Sequence, residues 1–213
     1  MSLKIKVYSD YICPFCVLTK GIFEEAIEGK DVEVEWMPFE LRPEPVPKLD
    51  PINEPEKMQM WNRFTKSIGS DMKLPRVSPN PYTNLAFEGF HFAKEQGKGK
   101  EYNDRIYEAF FKEEQNIGEI DVLAKLAVEV GLNEEEFKEA LQTRKYKDVQ
   151  REALRHAYED ANVKVVPTFI IGNKRIEGYT DKETFEKAID DEYAKDVASK
   201  GYGVCSIDGV CEI

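Results

Sequence analysis

The residues best suited to chemistry are two cysteines, Cys13 and Cys16, separated by Pro14 and Phe15. Two intervening residues on the first turn of a helix bring the sulfurs close enough to form a disulfide. Unpaired backbone N–H groups at a helix N-terminus favour a thiolate on the first sulfur, and the thiolate is the form that attacks disulfides. We therefore predict that Cys13 is the nucleophile and that Cys16 resolves the mixed disulfide.

Two neighbouring residues bear on the reactivity of this pair. Phe15 brings no positive charge to the first sulfur, and Asp10 lies three residues upstream of it. If the Asp10 carboxylate faced the sulfur, it would disfavour the thiolate, because like charges repel. Both features argue against a motif that is an extreme oxidant.

The pair lies between segments with different periodicities. Residues 3–8 alternate apolar with polar side chains, which predicts a strand with one polar face or a position near a sheet edge. A helical pattern runs from Pro14 to about Glu28, and proline suits a first helical turn, where its missing N–H costs nothing. Residues 31–41 form a second predicted strand. A Cys-x-x-Cys at this kind of junction is typical of thioredoxin-like redox proteins.

The middle of the chain is predicted to be helical. Apolar residues recur at helical spacing from residue 54 to residue 162, and Asn133 with Glu136 resembles a capping box. The large aromatic residues of this segment are expected in its core, namely Trp61, Phe64, Phe90, Phe110 and Phe111.

Strands return near the end of the chain. Residues 163–171 have a strand-like composition, residues 172–173 predict a hairpin turn, and residues 174–179 predict a second short strand. Thr180 with Glu183 resembles a capping box that opens a last helix.

These elements predict an α/β protein with a thioredoxin-like fold and a large all-helical insertion between its two halves. The thioredoxin-like domain is discontinuous and comprises residues 1–44 and 163–195, with the insertion at residues 45–162. Residues 196–213 form a C-terminal tail that contains two more cysteines.

Pro167 interrupts the strand-like run at residues 163–171. Taken alone, it favours an edge strand with a trans proline, because proline cannot donate a hydrogen bond to a neighbouring strand. Together with the cysteine pair it favours a cis proline, which is rare and usually a maintained feature of a fold.

The two motifs together resemble a known family. Cys13-Pro14-Phe15-Cys16 after the first strand and Val166-Pro167-Thr168 after a helical insertion are similar to the DsbA-like thioredoxin superfamily. Residues 79–83 and 93–97 resemble a segment of the FrnE-like branch, whose members are DsbA-family oxidoreductases or dithiol–disulfide isomerases. The resemblance covers about residues 3–190.

This resemblance implies a geometry and an activity. Pro167 would be cis and face the cysteines, Val166 would offer backbone hydrogen bonds to a bound substrate, and Pro14 and Phe15 would contact that substrate. Some aromatic residues of the insertion would line a groove over Cys13. The implied activity is that of a thiol–disulfide oxidoreductase or isomerase acting on protein or small-molecule disulfides. No bound cofactor is implied, and glutathione is a candidate redox partner.

Two alternatives remain open from the residues. The first is a glutathione-dependent enzyme, because kappa-class glutathione transferases and hydroxychromene-carboxylate isomerases have a similar architecture. Those families have serine at the position of Cys13 and use glutathione as a cofactor, whereas this chain has both cysteines.

The second alternative is a zinc site formed by the four cysteines. We expect no metal, because five residues separate Cys205 from Cys211, whereas two to four are usual in zinc sites.

Cys205 and Cys211 are interpreted as a candidate second redox pair. An Asp-Gly turn between them would bring the sulfurs together. Some FrnE-like proteins carry a C-terminal cysteine pair, so one hypothesis is that this pair exchanges disulfides with Cys13 and Cys16. A disulfide that ties down the tail, or two inactive thiols, is an equally weighted alternative.

Composition limits the remaining function classes. The chain has 213 residues and a formal net charge of −11, which argues against nucleic-acid binding because that needs a basic surface. No apolar run is long enough to predict a membrane span, and no secretory leader is evident. We therefore expect a cytoplasmic protein whose partners are thiol and disulfide substrates. The sequence makes no prediction of the oligomeric state.

Overall fold

A computed structural model describes residues 2–50 and 53–199, with side chains described as far as Lys195. The strands are β1 (Leu3–Ser9), β2 (Val32–Pro38), β3 (Thr168–Ile171) and β4 (Lys174–Glu177). The helices are α1 (Pro14–Ile27), α2 (Pro55–Ser67), α3 (Asn84–Glu95), α4 (Gly99–Phe111), α5 (Ile120–Glu129), α6 (Glu134–Gln142), α7 (Lys147–Arg155) and α8 (Lys182–Ser199). A π-helical turn, His156–Asp160, continues α7.

The described residues form a four-stranded sheet in the order β2-β1-β3-β4. β1 pairs in parallel with β2 and antiparallel with β3, and β3 pairs antiparallel with β4. The prediction that β1 lies near an edge is wrong, because strands cover both of its sides. The alternating pattern behind this prediction comes from Lys4 and Lys6 in the first half of the strand. In the second half of the strand, Tyr8 is buried.

The predicted fold class is confirmed. Helices α2–α7 form an insertion between β2 and β3, and the remaining elements form the thioredoxin-like part. One apolar cluster lies between the sheet and α1 and α8, and includes Ile5, Phe23, Phe169 and Phe185. A second cluster joins the motif loop to the insertion and includes Tyr11, Cys13 and Cys16. The cysteines are therefore part of the interface between the sheet and the insertion.

Two helix ends differ from their predictions. Asp181, and not Thr180, caps α8, because its carboxylate accepts a hydrogen bond from the backbone N–H of Thr184 at 2.8 Å. α8 also continues to Ser199, beyond the predicted start of the tail at residue 196, since the first helix-breaking glycine comes later. The predicted cap at Asn133 is confirmed by its bond to the Glu136 N–H at 3.0 Å.

None of the helices in the described part of the chain combines the length and the apolar composition that crossing a membrane would need.

Candidate active site

Cys13 lies at the junction where the loop after β1 enters α1. It has an extended backbone, and Pro14 begins the helix. The Cys13 N–H donates to the carbonyl of Asp10 at 3.1 Å, and the Cys13 carbonyl accepts from the Cys16 N–H at 3.0 Å. Cys13 is therefore held at the first turn of α1, where unpaired N–H groups favour an anion.

The structure brings Cys13 and the proline loop together. Both cysteines are unpaired thiols and both are buried. The Cys13 thiol donates to the backbone carbonyl of Val166 at 3.5 Å, and the peptide bond between Val166 and Pro167 is cis. The carbonyl of Pro167 in turn accepts from the Gly178 N–H at 2.8 Å, which ties this loop to the end of β4. Residues that are far apart in sequence thus surround one sulfur.

Cys16 differs from Cys13 in its electrostatic surroundings. Burial raises the pKa of the Cys16 thiol well above its usual value, and a hydrogen bond with Cys13 and the charge of Asp10 add to this. Cys16 therefore keeps its proton in the reduced protein and is a poor first nucleophile. This environment can support an attack by Cys13 followed by a later reaction of Cys16.

Asp10 is a buried acid in the loop that leads from β1 to the motif. Its carboxylate accepts hydrogen bonds from the backbone N–H groups of Leu41 at 2.7 Å and Ile12 at 3.3 Å. Thr83 also donates to it, yet burial outweighs these bonds and raises the pKa of Asp10 to about 7. The carboxylate thus faces the backbone, and its charge contributes to raising the pKa of Cys16.

Sequence reasoning noted Asp10 but missed its burial and its partners. The available signal was an acidic residue next to Ser9 in the short segment between Tyr8 and Ile12, whose other residues are aromatic or apolar. That signal does not show that Leu41 and Thr83 provide the hydrogen bonds.

Phe15 packs against the insertion. Its ring lies edge-on to Trp61 at 5.4 Å and to Phe64 at 5.1 Å, measured between centroids. The Trp61 indole donates to the Met72 carbonyl at 3.0 Å, and Phe64 lies edge-on to Tyr179 at 5.2 Å. These contacts place α2 next to the motif. Of the other aromatic residues predicted for the core, Phe90 and Phe110 are buried and Phe111 is partly buried.

Among residues 2–50 and 53–195, whose side chains the structure describes, no His, Cys, Asp and Glu side chains form a group of three or more that could hold a metal ion. Cys205 and Cys211 lie outside the described residues, so the predicted second pair and the zinc alternative that includes them remain predictions.

Comparisons with known proteins identify the family of the chain and the fold that it shares with solved structures. Residues 4–190 match the family model of the DSBA-like thioredoxin domain. The uncharacterized protein YwbO of Bacillus subtilis (strain 168) is 61% identical over 199 residues, which are 92% of this chain and 100% of YwbO. Two solved structures show the same fold at low identity.

The first is the probable DsbA oxidoreductase SCO1869 from Streptomyces coelicolor, with a TM-score of 0.78, 22% identity and 99% of each chain covered. The second is a candidate protein disulfide isomerase from Nitrosomonas europaea, with a TM-score of 0.72 and 18% identity, covering 92% of this chain and 99% of that one. Since the family model spans most of the sequence, the chain belongs to the DSBA-like thioredoxin domain family.

Proposed function

We propose that the protein is a thiol–disulfide oxidoreductase or isomerase of the FrnE-like branch, that it acts on protein or small-molecule disulfides, and that it works in the cytoplasm. The observation that carries the proposal is the position of Cys13, at the first turn of α1 and 3.5 Å from the Val166 carbonyl. Membership of the family supports the reaction class. A cytoplasmic setting favours reduction over oxidation, because cytosolic thiol pools are reducing.

The reaction uses the two sulfurs in sequence. The Cys13 thiolate attacks one sulfur of the substrate disulfide, forms a mixed disulfide and releases the other substrate sulfur as a thiolate. Cys16 then loses its proton and attacks the Cys13 sulfur, which releases the second substrate thiolate and leaves a Cys13–Cys16 disulfide. Two electrons pass from the dithiol to the substrate, and the substrate thiolates take up the two protons that the cysteines give up.

Val166 and Pro167 are proposed to contact the substrate chain, as are Pro14 and Phe15 across the motif. The Val166 carbonyl already accepts a hydrogen bond from the reactive thiol. In the mixed disulfide, a substrate sulfur replaces the proton on the Cys13 sulfur and would therefore lie beside the backbone of Val166. That backbone could then form hydrogen bonds with the substrate residues next to the substrate's cysteine.

The roles of the two cysteines can be tested by reduction of insulin and refolding of scrambled ribonuclease. Cys13→Ser should abolish both activities, and Cys16→Ser should accumulate a client as a mixed disulfide on Cys13 that mass spectrometry can identify. Full activity of Cys13→Ser, or trapping on Cys16 in that variant, would refute the assignment of the nucleophile.

We also propose that Cys205 and Cys211 exchange disulfides with the motif. α8 runs away from the motif, since Phe185 packs on Phe23 at 5.2 Å and Tyr193 donates to the Asp31 carbonyl at 2.8 Å. The six residues from the end of α8 to Cys205 span at most ~20 Å and the twelve to Cys211 at most ~40 Å.

α1 is ~20 Å long, and α8 ends beyond the end of α1 that is far from Cys13. The segment to Cys205 is therefore too short to reach Cys13 within one chain, whereas the segment to Cys211 is long enough. Cys211→Ser should therefore slow reoxidation of the motif more than Cys205→Ser does. Unchanged turnover and redox behaviour in the double variant would refute this role.

A further inference from the structure

A groove lies along β2, which is an edge strand of the sheet that the described residues form. It has a volume of about 700 Å³, and its walls are α1, β2 and the connection between α3 and α4. Five apolar side chains line it, namely Phe23, Ile27, Val34, Trp36 and Phe90. Three lysines and three glutamates also line it, so their charges balance. The groove therefore suits an apolar occupant of low net charge.

α8 ends on the same side of the molecule as this groove. The Tyr193 hydroxyl donates to the carbonyl of Asp31, the residue before β2, at 2.8 Å. Tyr193 and Val34 both pack on the apolar cluster between the sheet and α1. The groove thus continues the surface on which the last part of α8 lies. It is far from Cys13, because it includes Ile27 at the opposite end of α1.

The segment after α8 has an apolar composition. It comprises residues 200–213, of which three are charged, although 33% of the whole chain is charged. Five of its residues are large and apolar, namely Tyr202, Val204, Ile207, Val210 and Ile213. Leaving such side chains in water is unfavourable, so burial on an apolar surface within reach stabilises the segment.

We propose that the segment after α8 binds in this groove of its own chain, with Ile207 lying over Val34. Chain length permits this arrangement. After its contact with Asp31, α8 continues for six residues, or ~9 Å. Val34 is three residues along β2 from Asp31, or ~10 Å. The segment from Ser199 to Ile207 spans up to ~26 Å, so it can turn at the end of the helix and reach the groove.

Size and tethering also favour this occupant. A cavity of about 150 Å³ holds benzene, so a groove of about 700 Å³ admits several side chains of the segment. A short tether gives an effective concentration on the order of millimolar, which a free partner would have to exceed in order to compete for the groove.

Binding in the groove would hold Cys205 and Cys211 near the end of α1 that is far from Cys13. The disulfide exchange proposed above would then require release of the segment. The binding itself involves no redox step, so it is tested with all cysteines reduced, and its failure leaves the proposed function standing.

The test is limited proteolysis of the full chain with chymotrypsin, which cleaves after Tyr202 when the segment is released. Intact mass follows the loss of residues 203–213. Since cleavage reports the population of the released form, Ile207→Asp should raise its rate by at least about tenfold. That factor corresponds to 1.4 kcal/mol and to the lower end of burying one isoleucine side chain.

Ser206→Asp is the matched control in the segment. It adds the same charge, but adjacent side chains of an extended segment point in opposite directions, so its cleavage rate should equal that of the unmodified protein. Free peptides of residues 200–213, with and without the Ile207→Asp change, should be cleaved equally fast, which shows that the protease does not recognise residue 207.

Two measurements locate the binding surface. Val34→Asp should raise the cleavage rate as Ile207→Asp does, whereas Val149→Asp should not, because Val149 is 49% exposed on α7 and does not line the groove. Thermal melting confirms that each variant is folded. In a Trp61→Phe background, Trp36 is the one tryptophan of the chain. Adding Ile207→Asp should then shift its emission to longer wavelength and make it accessible to acrylamide.

Three results would overturn the inference. The first is cleavage of the unmodified protein as fast as the free peptide. The second is a Trp36 emission that Ile207→Asp leaves unchanged. The third is a cleavage rate that falls as the protein concentration rises, since the segment would then bind a second copy of the chain and not its own groove.

Discussion

Asp10 is expected to make the stability of the protein fall between pH 5 and pH 7. Burial raises the pKa of its carboxyl from 3.8 to about 7. A group whose pKa is higher in the folded chain than in the unfolded chain stabilises the fold fully below its unfolded pKa. This stabilisation is lost as the pH rises through the folded pKa. For Asp10 the loss therefore extends from about pH 4 to about pH 7.

The magnitude follows from the size of the shift. A shift of about three pKa units corresponds to about 4 kcal/mol, since one unit is 1.36 kcal/mol. Over the interval from pH 5 to pH 7 the folded chain holds up to one proton more than the unfolded chain, so Asp10 lowers the free energy of unfolding by about 2 kcal/mol. Asp10→Asn removes this titration. The amide also mismatches one of the two backbone N–H groups, so we expect the variant to be less stable at pH 5.

The diagnostic quantity is the change in stability with pH, measured by urea unfolding at pH 5, 6 and 7 under reducing conditions. The free energy of unfolding of Asp10→Asn should fall by about 2 kcal/mol less than that of the unmodified protein. Glu40 also has a raised pKa because of its burial, but it is present in both proteins, so its contribution cancels to first order.

Asp181→Asn provides the matched control. The side chain is exposed, and hydrogen bonds from Thr184 lower the pKa of Asp181, so it does not titrate in this interval. Its pH dependence should equal that of the unmodified protein. If Asp10→Asn and the unmodified protein lose the same free energy between pH 5 and pH 7, Asp10 is not a buried acid that holds its proton near neutrality.

The insertion gives two further predictions and the motif gives a third. Gly89→Ala should destabilise the protein by about 1–3 kcal/mol, because the new methyl group would clash with the hydroxyl of Tyr102; an unchanged melting temperature would contradict this. Arg144→Met should cost about 3 kcal/mol in urea unfolding, because it leaves the buried Glu88 carboxylate without its 2.6 Å partner; adding Glu88→Gln should recover part of the loss. In the reduced protein, Cys16 should react with iodoacetamide far more slowly than its motif partner at pH 7, since burial raises its pKa. Equal labelling of the two motif cysteines, measured by peptide mass mapping, would refute that prediction.

Local sequence signals predicted the motif and the fold class. Cys13 and Cys16 follow a strand pattern and open a helical one, and Pro167 stands at the start of another strand. Each of these signals involves neighbours along the chain, which determine periodicity and backbone geometry directly. The fold class followed because the order of such segments leaves few possible arrangements.

The remaining features depend on contacts between distant parts of the chain. The alternation in β1 does not show that β3 covers its second side, because β3 follows only after the whole insertion. The pKa of Asp10 is raised because the fold buries its carboxyl, and this burial outweighs the hydrogen bonds from Leu41 and Thr83, which lower the pKa. An apolar cavity of about 240 Å³ beside Phe15 likewise exists because α2 packs on the motif helix.

These contacts join the insertion to the loop that carries the two motif cysteines. Asp10 precedes the motif, its carboxylate binds the Leu41 N–H, and its carbonyl accepts from the Tyr107 hydroxyl of α4 at 3.4 Å. Phe15 lies within the motif and packs on Trp61 of α2. The loop that carries Cys13 is therefore held by Leu41 of the thioredoxin-like part and by two residues of the insertion, Tyr107 and Trp61. A reactive group must be held within about 0.5 Å of its productive position. A substrate that displaces α2 would remove the packing partner of Phe15 and so loosen the motif that positions the Cys13 sulfur.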